Sequence, residues 1–155
     1  MAFVQLDQIP VLFGGIRCPL ERLIFVGARE RGPEVLRLTD VPEPTPTEGQ
    51  LLVRVEAAGV NFIDVYHRTG LYPNPLPLTP GLEGAGVVTR VGPGATGFRE
   101  GDRVTWTKAP GSYAEVALVP AEQAVAVPEG VETRTAAAVM LQGLTAHYLC
   151  HDTCP

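Results

Sequence analysis

Three side chains able to hold a polar ligand fall close together in this sequence: the amide of Asn61, the carboxylate of Asp64 and the phenol of Tyr66. Asn61 stands where a helix N-cap belongs, and Asp64 follows three residues later. That spacing is a variant of the capping box, in which each side chain accepts from a backbone N–H that has no partner inside the helix. The pair is thereby held at a bend, with Tyr66 one turn further in. Such bends often border binding sites, and more often are no more than a capped helix. Metal chemistry finds less support. Cys150, His151 and Cys154 crowd the C-terminus without a fourth ligand, so a frayed terminus is expected there and no metal site. With Cys18 the cysteines number three and include no C-x-x-C. That argues against a disulfide framework and for a reducing, cytoplasmic setting.

The bend requires a strand before it and a helix after it. Leu52, Val53 and Val55, broken by Arg54 and Glu56, come close to the period of two of a half-buried strand. Gly59 is free to take a backbone conformation that a Cβ would resist. A helix is expected from about Phe62 to Arg68, ended by Gly70 as a C-cap. Pro73, Pro75, Pro77 and Pro80 then stiffen a loop headed by Tyr72, and loops of this length usually cover or bind something. Strands are expected at Gly84–Val91, Arg103–Trp106, Tyr113–Val119 and Ala124–Val127. Leu23–Val26 and Val35–Leu38 read as a hairpin turned at Arg31–Glu34. From about Glu132 the composition turns helical, and a second helical stretch, Thr145 to Cys150, follows Gly143. Residues 1–22 read as an extension of uncertain order, without the marks of a signal peptide. The sum is a mostly β fold with one early helix and a helical C-terminus, which a partly open barrel suits.

Composition agrees with one ordinary domain. The chain has 155 residues, 45% of them apolar, and its 17 Gly and 15 Pro are scattered as turn punctuation. A net charge of −5 without a basic block excludes neither binding nor catalysis, but it makes nucleic acid and anionic membrane poor partners. No apolar run reaches the length of a membrane span. Gly92-Pro93-Gly94-Ala95-Thr96-Gly97 matches G-x-G-x-x-G literally. A dinucleotide fingerprint needs a helix directly after it, and here another strand follows Gly101-Asp102, so the match reads as a loop.

Five motifs occur in one order: Gly59-Val60-Asn61-Phe62-Ile63-Asp64, Gly70-Leu71-Tyr72-Pro73, Pro80-Gly81-Leu82-Glu83-Gly84-Ala85-Gly86, Gly101-Asp102-Arg103-Val104 and Leu141-Gln142-Gly143-Leu144-Thr145-Ala146. Together they resemble the zeta-crystallin-like quinone oxidoreductases of the medium-chain dehydrogenase/reductase superfamily, from about Leu23 to Thr153. The resemblance implies a GroES-like β-barrel catalytic domain over residues 23–131, then the start of a helical connection over 132–155. In the family a Rossmann domain follows and binds NADPH, and the full-length proteins are homodimers. No strand carrying that fingerprint is reached by Pro155, so this chain alone is expected to be inactive.

Residue roles follow from the same resemblance. Asn61 and Asp64 are implied to line the nicotinamide and ribose end of the cofactor, with Gln142 and Thr145 touching it from the junction. Tyr66 and Tyr72 are implied to wall the quinone, or another conjugated carbonyl, and to offer it hydroxyl donors. Each has a plainer reading: Tyr66 as core, Thr145 as the cap of a helix after Gly143. Zinc-dependent relatives place a Cys where Asn61 stands and a His where Leu82 stands, so a zinc-independent hydride transfer is implied. Such a transfer turns a quinone into a delocalised phenolate that donors or water can steady without a Lewis acid. Glu83, between Gly81 and Gly84, reads as a buried carboxylate accepting from backbone N–H groups and not as a catalytic group. His67 and His147 read as ordinary helix residues. Two alternatives stay open: a reductase of enoyl thioesters or other activated alkenes, and a non-catalytic β-module whose apolar C-terminal helix seeks a partner.

Overall fold

In the computed structural model the chain is described at residues 3–4, 21–25 and 32–153. The strands are β1 (Phe3–Val4), β2 (Glu21–Phe25), β3 (Leu36–Asp40), β4 (Gln50–Gly59), β5 (Glu83–Val91), β6 (Arg103–Trp106), β7 (Val116–Pro120) and β8 (Val125–Ala126). The helices are α1 (Phe62–Thr69) and α2 (Thr133–Tyr148), the latter running into a π-helical turn at Leu149–Thr153. Cys18 and Cys154, with most of the presumed extension, lie outside the described residues.

β4 is the organising strand. β5 pairs along one edge of it, while β7 pairs with Gln50–Arg54 and β1 with Ala58 and Gly59. The order β1-β4-β5-β6-β8 leaves β1 and β8 at its two ends, so the antiparallel sheet is open. Phe3 and Val4 thus pair with the strand that leads into the bend, although the sequence offered no place for them. β2 and β3 form the expected hairpin as a separate two-stranded sheet.

Leu51, Leu52 and Val53 are all buried, so β4 is covered on both faces here and is not the half-wet strand its polar residues suggested. One cluster holds Leu51, Val53, Val55, Val88, Val104, Trp106 and Val119. A second joins Ala57 and Ala85 to Ala136 and Ala137, which seats α2 on the sheet. Small residues on both sides let the helix approach closely. The Arg103 guanidinium donates to the carbonyls of Val131 at 2.6 Å and Pro128 at 3.1 Å, fixing the loop that feeds α2.

β4 and β5 are not in simple register. Val55 pairs with Gly86 and Ala57 with Ala85, so Glu56 is an extra residue on β4. Such a bulge bends its strand and re-aims the residues beyond it. The G-x-G-x-x-G stretch lies between β5 and β6 with no helix after it, as read, and Gly94 and Gly97 take positive φ there. The Tyr113–Val119 strand begins only at Val116, because the residues before it are bound to the Pro80–Gly81 loop.

Gly143 does not divide two helices: α2 runs through it. A cap needs an unfinished backbone, and the packed alanine face keeps the helix intact across the glycine. A Cβ at Gly143 would meet nothing nearer than Val139 Cβ, at 3.8 Å. Gly143→Ala should therefore raise unfolding stability by about 0.5–1 kcal/mol, since glycine in a helix interior costs that much relative to alanine. Urea unfolding followed by circular dichroism measures it.

Candidate functional site

Gly59 ends β4 and stands opposite Glu83, the first residue of β5. Asn61 is extended at φ −124° and ψ 158°, the geometry of an N-cap, and α1 begins at Phe62. Asp64 Oδ2 accepts the Asn61 backbone N–H at 2.9 Å, so the capping box is built. Gly70 closes α1 at φ 73°, as expected.

The side chains go further than capping. Asn61 Nδ2 donates to Glu83 Oε2 at 2.8 Å, and Asn61 Oδ1 accepts from Gln142 Nε2 at 3.2 Å. The other oxygen of Glu83, Oε1, accepts the main-chain N–H of Leu141 at 2.9 Å. Glu83 is only 1% exposed. Its carboxylate therefore joins the bend after β4 to the middle of α2. Tyr113 donates its hydroxyl to Asp64 Oδ2 at 2.8 Å. Burial, then the charge of Asp64, pushes the Tyr113 phenol well above the usual range, so it stays a donor.

Gly59 matters here for space and not for conformation. Its φ is not positive, but a Cβ on it would lie 2.2 Å from Glu83 Oε2. The expectation of an unusual backbone at Gly59 is thus corrected: the glycine makes room for the carboxylate across the sheet.

Two buried acceptors at this bend have no hydrogen-bond partner among the described residues: Asp64 Oδ1 and Gln142 Oε1. Buried polar atoms are normally paired, so both are places where a ligand's donors or ordered water belong. Tyr66 and Tyr72 form a second, aromatic group. Their rings meet edge to face at 5.4 Å, with the Tyr72 N–H on the Tyr66 carbonyl at 3.2 Å. Phe62 stacks on Tyr66 at 6.5 Å and is 78% exposed. Apart from all of these, a shallow depression lined by Glu48, Gln50, Gly94 and Glu122 shares no residue with the bend.

Residues 47–129 match the alcohol dehydrogenase GroES-like domain family, which is more than half of the chain. This chain belongs to that family. It is 47% identical over 124 residues to a quinone oxidoreductase of Pseudomonas aeruginosa, covering 79% of this chain and 38% of the relative. It is 41% identical over 133 residues to a 2-haloacrylate reductase of a Burkholderia species, covering 81% and 40% of the two chains. Escherichia coli quinone oxidoreductase, solved in complex with NADPH, superimposes with a TM-score of 0.81 at 39% identity, over 86% of this chain and 41% of that one. The motifs had implied both this GroES-like fold and this membership of the medium-chain dehydrogenase/reductase superfamily. The chain spans about two fifths of the length of the relatives it matches.

The bend and α2 bring Asn61, Asp64 and Gln142 into one hydrogen-bonded group although 81 residues separate the outer two. Tyr66 and Tyr72 also meet, and Tyr66 is half-buried while Tyr72 is 51% exposed. Thr145 does not join them. It is exposed and donates to the Leu141 carbonyl at 2.7 Å, so it caps no helix start. Glu83 is the buried acceptor that was expected, but only one of its donors is a backbone N–H. Tyr113 was missed altogether, since nothing in Gly111-Ser112-Tyr113 announces that its ring returns to Asp64. His67 lies against Tyr72 with ring centroids 6.4 Å apart, and His147 lies against His151 at 4.5 Å. No helix among the described residues is long and apolar enough to cross a membrane.

Proposed function

We propose that this chain is the catalytic portion of an NADPH-dependent reductase of quinones or related conjugated carbonyls. The observation that carries the reading is the pair of unpartnered buried acceptors, Asp64 Oδ1 and Gln142 Oε1, at one bend. Ribose hydroxyls and a carboxamide NH2 are the donors such acceptors lack, and NADPH has both at its nicotinamide end. When bound, NADPH supplies a hydride to the acceptor. Asn61 and Asp64 hold and orient it from the bend, and Gln142 and Thr145 contribute from α2. Tyr66 and Tyr72 wall the acceptor and donate to the oxygen on which charge gathers. No protein nucleophile is required; the chain contributes orientation and electrostatics.

The reaction needs no zinc in this reading. The Asn61 amide is neutral and engaged with Glu83 and Gln142, and Leu82 offers no donor atom. Residues 23–131 serve as the catalytic domain, and 132–155 begin a connection to a cofactor-binding domain. The exposed Val139, Leu144, Tyr148 and Leu149 of that connection support a surface meant to be covered. A homodimer in the reducing cytoplasm fits the resemblance. A second reading takes an activated alkene as acceptor, which the 2-haloacrylate reductase relative supports.

The test joins residues 1–155 to the remaining portion of the Pseudomonas aeruginosa relative and follows NADPH oxidation. Quinone-dependent turnover is expected, and Asn61→Ala should lower it at least about tenfold, the cost of one lost orienting hydrogen bond. A chimera that is folded yet inert towards every quinone and enone offered would end this reading. Turnover with haloacrylate or enones alone would decide for the second.

A further inference from the structure

We propose that Tyr113 is a positioning residue for the ribose of the cofactor: its hydroxyl occupies Oδ2 of Asp64, so that Oδ1 alone faces the ligand. The inference rests on the reading of the bend as an NADPH site.

Asp64 is 6% exposed, and its two oxygens are used unequally. Oδ2 accepts both the Asn61 N–H, at 2.9 Å, and the Tyr113 hydroxyl, at 2.8 Å. Oδ1 accepts nothing among the described residues. A carboxylate free to rotate would share its donors between its oxygens. This one is held by two fixed donors on the same oxygen.

The Tyr113 end of the contact is built rather than incidental. Tyr113 lies 49 residues from Asp64, in the loop before β7. Its N–H donates to the Pro80 carbonyl at 3.1 Å, and the N–H groups of Gly111 and Ser112 donate to the Gly81 carbonyl at 2.8 and 3.2 Å. Gly81, at φ 89°, packs so closely that a Cβ would sit 2.5 Å from Tyr113 Cδ1. Three main-chain bonds and one glycine therefore aim the phenol. Its raised ionisation range, set by burial and by Asp64, keeps the proton on the phenol oxygen.

An ionised acceptor with one unfilled oxygen suits a neutral O–H donor, because charge-assisted bonds are the strong ones. Carboxylates commonly take a ribose hydroxyl in dinucleotide sites for this reason. Without the phenol, one of the two bonds that fix the Asp64 carboxylate is lost, its plane is free to tilt, and the preference for the sugar falls.

The test titrates the isotope-labelled chain with two probes, following backbone amides by NMR. Reduced nicotinamide mononucleotide carries the ribose; N-benzyl-1,4-dihydronicotinamide does not. Tyr113→Phe should weaken the first about tenfold, the loss of one hydrogen bond to a charged group, and leave the second within about twofold. Equal affinity of parent and variant for the mononucleotide overturns the proposal and leaves the cofactor reading standing. Parallel weakening of both probes makes Tyr113 a merely structural residue and also overturns it. Failure of the parent chain to bind either probe overturns the proposal, while turnover of the chimera still decides the cofactor reading. The parent's own tyrosines give a measurement that needs no variant. In an alkaline absorbance titration the Tyr113 phenol should resist ionisation. A Tyr113 phenol that ionised in the ordinary range would show that the bond to Asp64 is not made, and the proposal would fall.

Discussion

Replacing Glu83 with alanine should destabilise the chain by about 2–4 kcal/mol, the cost of orphaning the Asn61 amide, untying α2 and opening a void. Its donors are Asn61 Nδ2 and the Leu141 N–H, held at 2.8 and 2.9 Å. Two effects oppose each other here. Burying a carboxylate is costly, and removing it relieves that cost. Against this, the Asn61 amide loses its acceptor, and an unsatisfied buried group costs about 1–3 kcal/mol, whereas the Leu141 N–H, inside α2, keeps its helical acceptor and loses only the tether. Because both Glu83 oxygens are used and the residue is 1% exposed, the loss should win. Glu83→Gln keeps the shape but turns an NH2 towards one donor, so it should cost about 1–3 kcal/mol, less than alanine. Denaturant unfolding of the three proteins gives the order. An alanine variant as stable as the parent would mean that desolvation dominates and that Glu83 ties nothing together. The functional consequence follows from the same bonds. Asn61 would lose the acceptor that sets which end of its amide meets Gln142, and α2 would lose its tether at Leu141.

Gly86→Ala should cost about 3 kcal/mol, at the upper end of what overpacking usually costs. The Cβ would lie 2.0 Å from the Arg54 carbonyl oxygen and 2.9 Å from its carbon. Those atoms are backbone, so no side chain can swing aside and strands β4 and β5 must separate. Gly86 pairs with Val55 beside the Glu56 bulge, a place where glycine permits close backbone approach. Gly59→Ala is the informative companion. The nearest atoms to its Cβ all belong to the Glu83 side chain, so it should disturb the Asn61–Glu83–Leu141 bonds while leaving the β4–β5 ladder paired. Amide exchange separates the two: Gly86→Ala should expose the Val53–Ala57 amides, and a variant that left their protection unchanged would refute the clash.

The elements that proved legible are those with local causes. Asn61, Asp64 and Gly70 announce α1 because caps are written within one turn of a helix. The strands β4, β5 and β6 follow from short apolar runs bounded by turn residues, and the loop at Gly92–Gly97 from the missing helix after it. Where the local signal misled, a distant contact was the reason. Gly143 has the look of a helix stop, yet Ala136 and Ala137 packed against Ala57 and Ala85 hold α2 together through it.

Residue types, order and spacing by themselves determined the sheet-rich domain, its capped bend, its aromatic loop and its likeness to a known family. Only the tertiary structure decided which groups are spent on one another and which stay free. Glu83 reaches Asn61 across 22 residues and Leu141 across 58, and Tyr113 reaches Asp64 across 49. Hydrogen bonds depend on separation in space, and the β4–β5 register that puts Gly59 opposite Glu83 is kept by two register shifts that offset each other and carry no periodic signal.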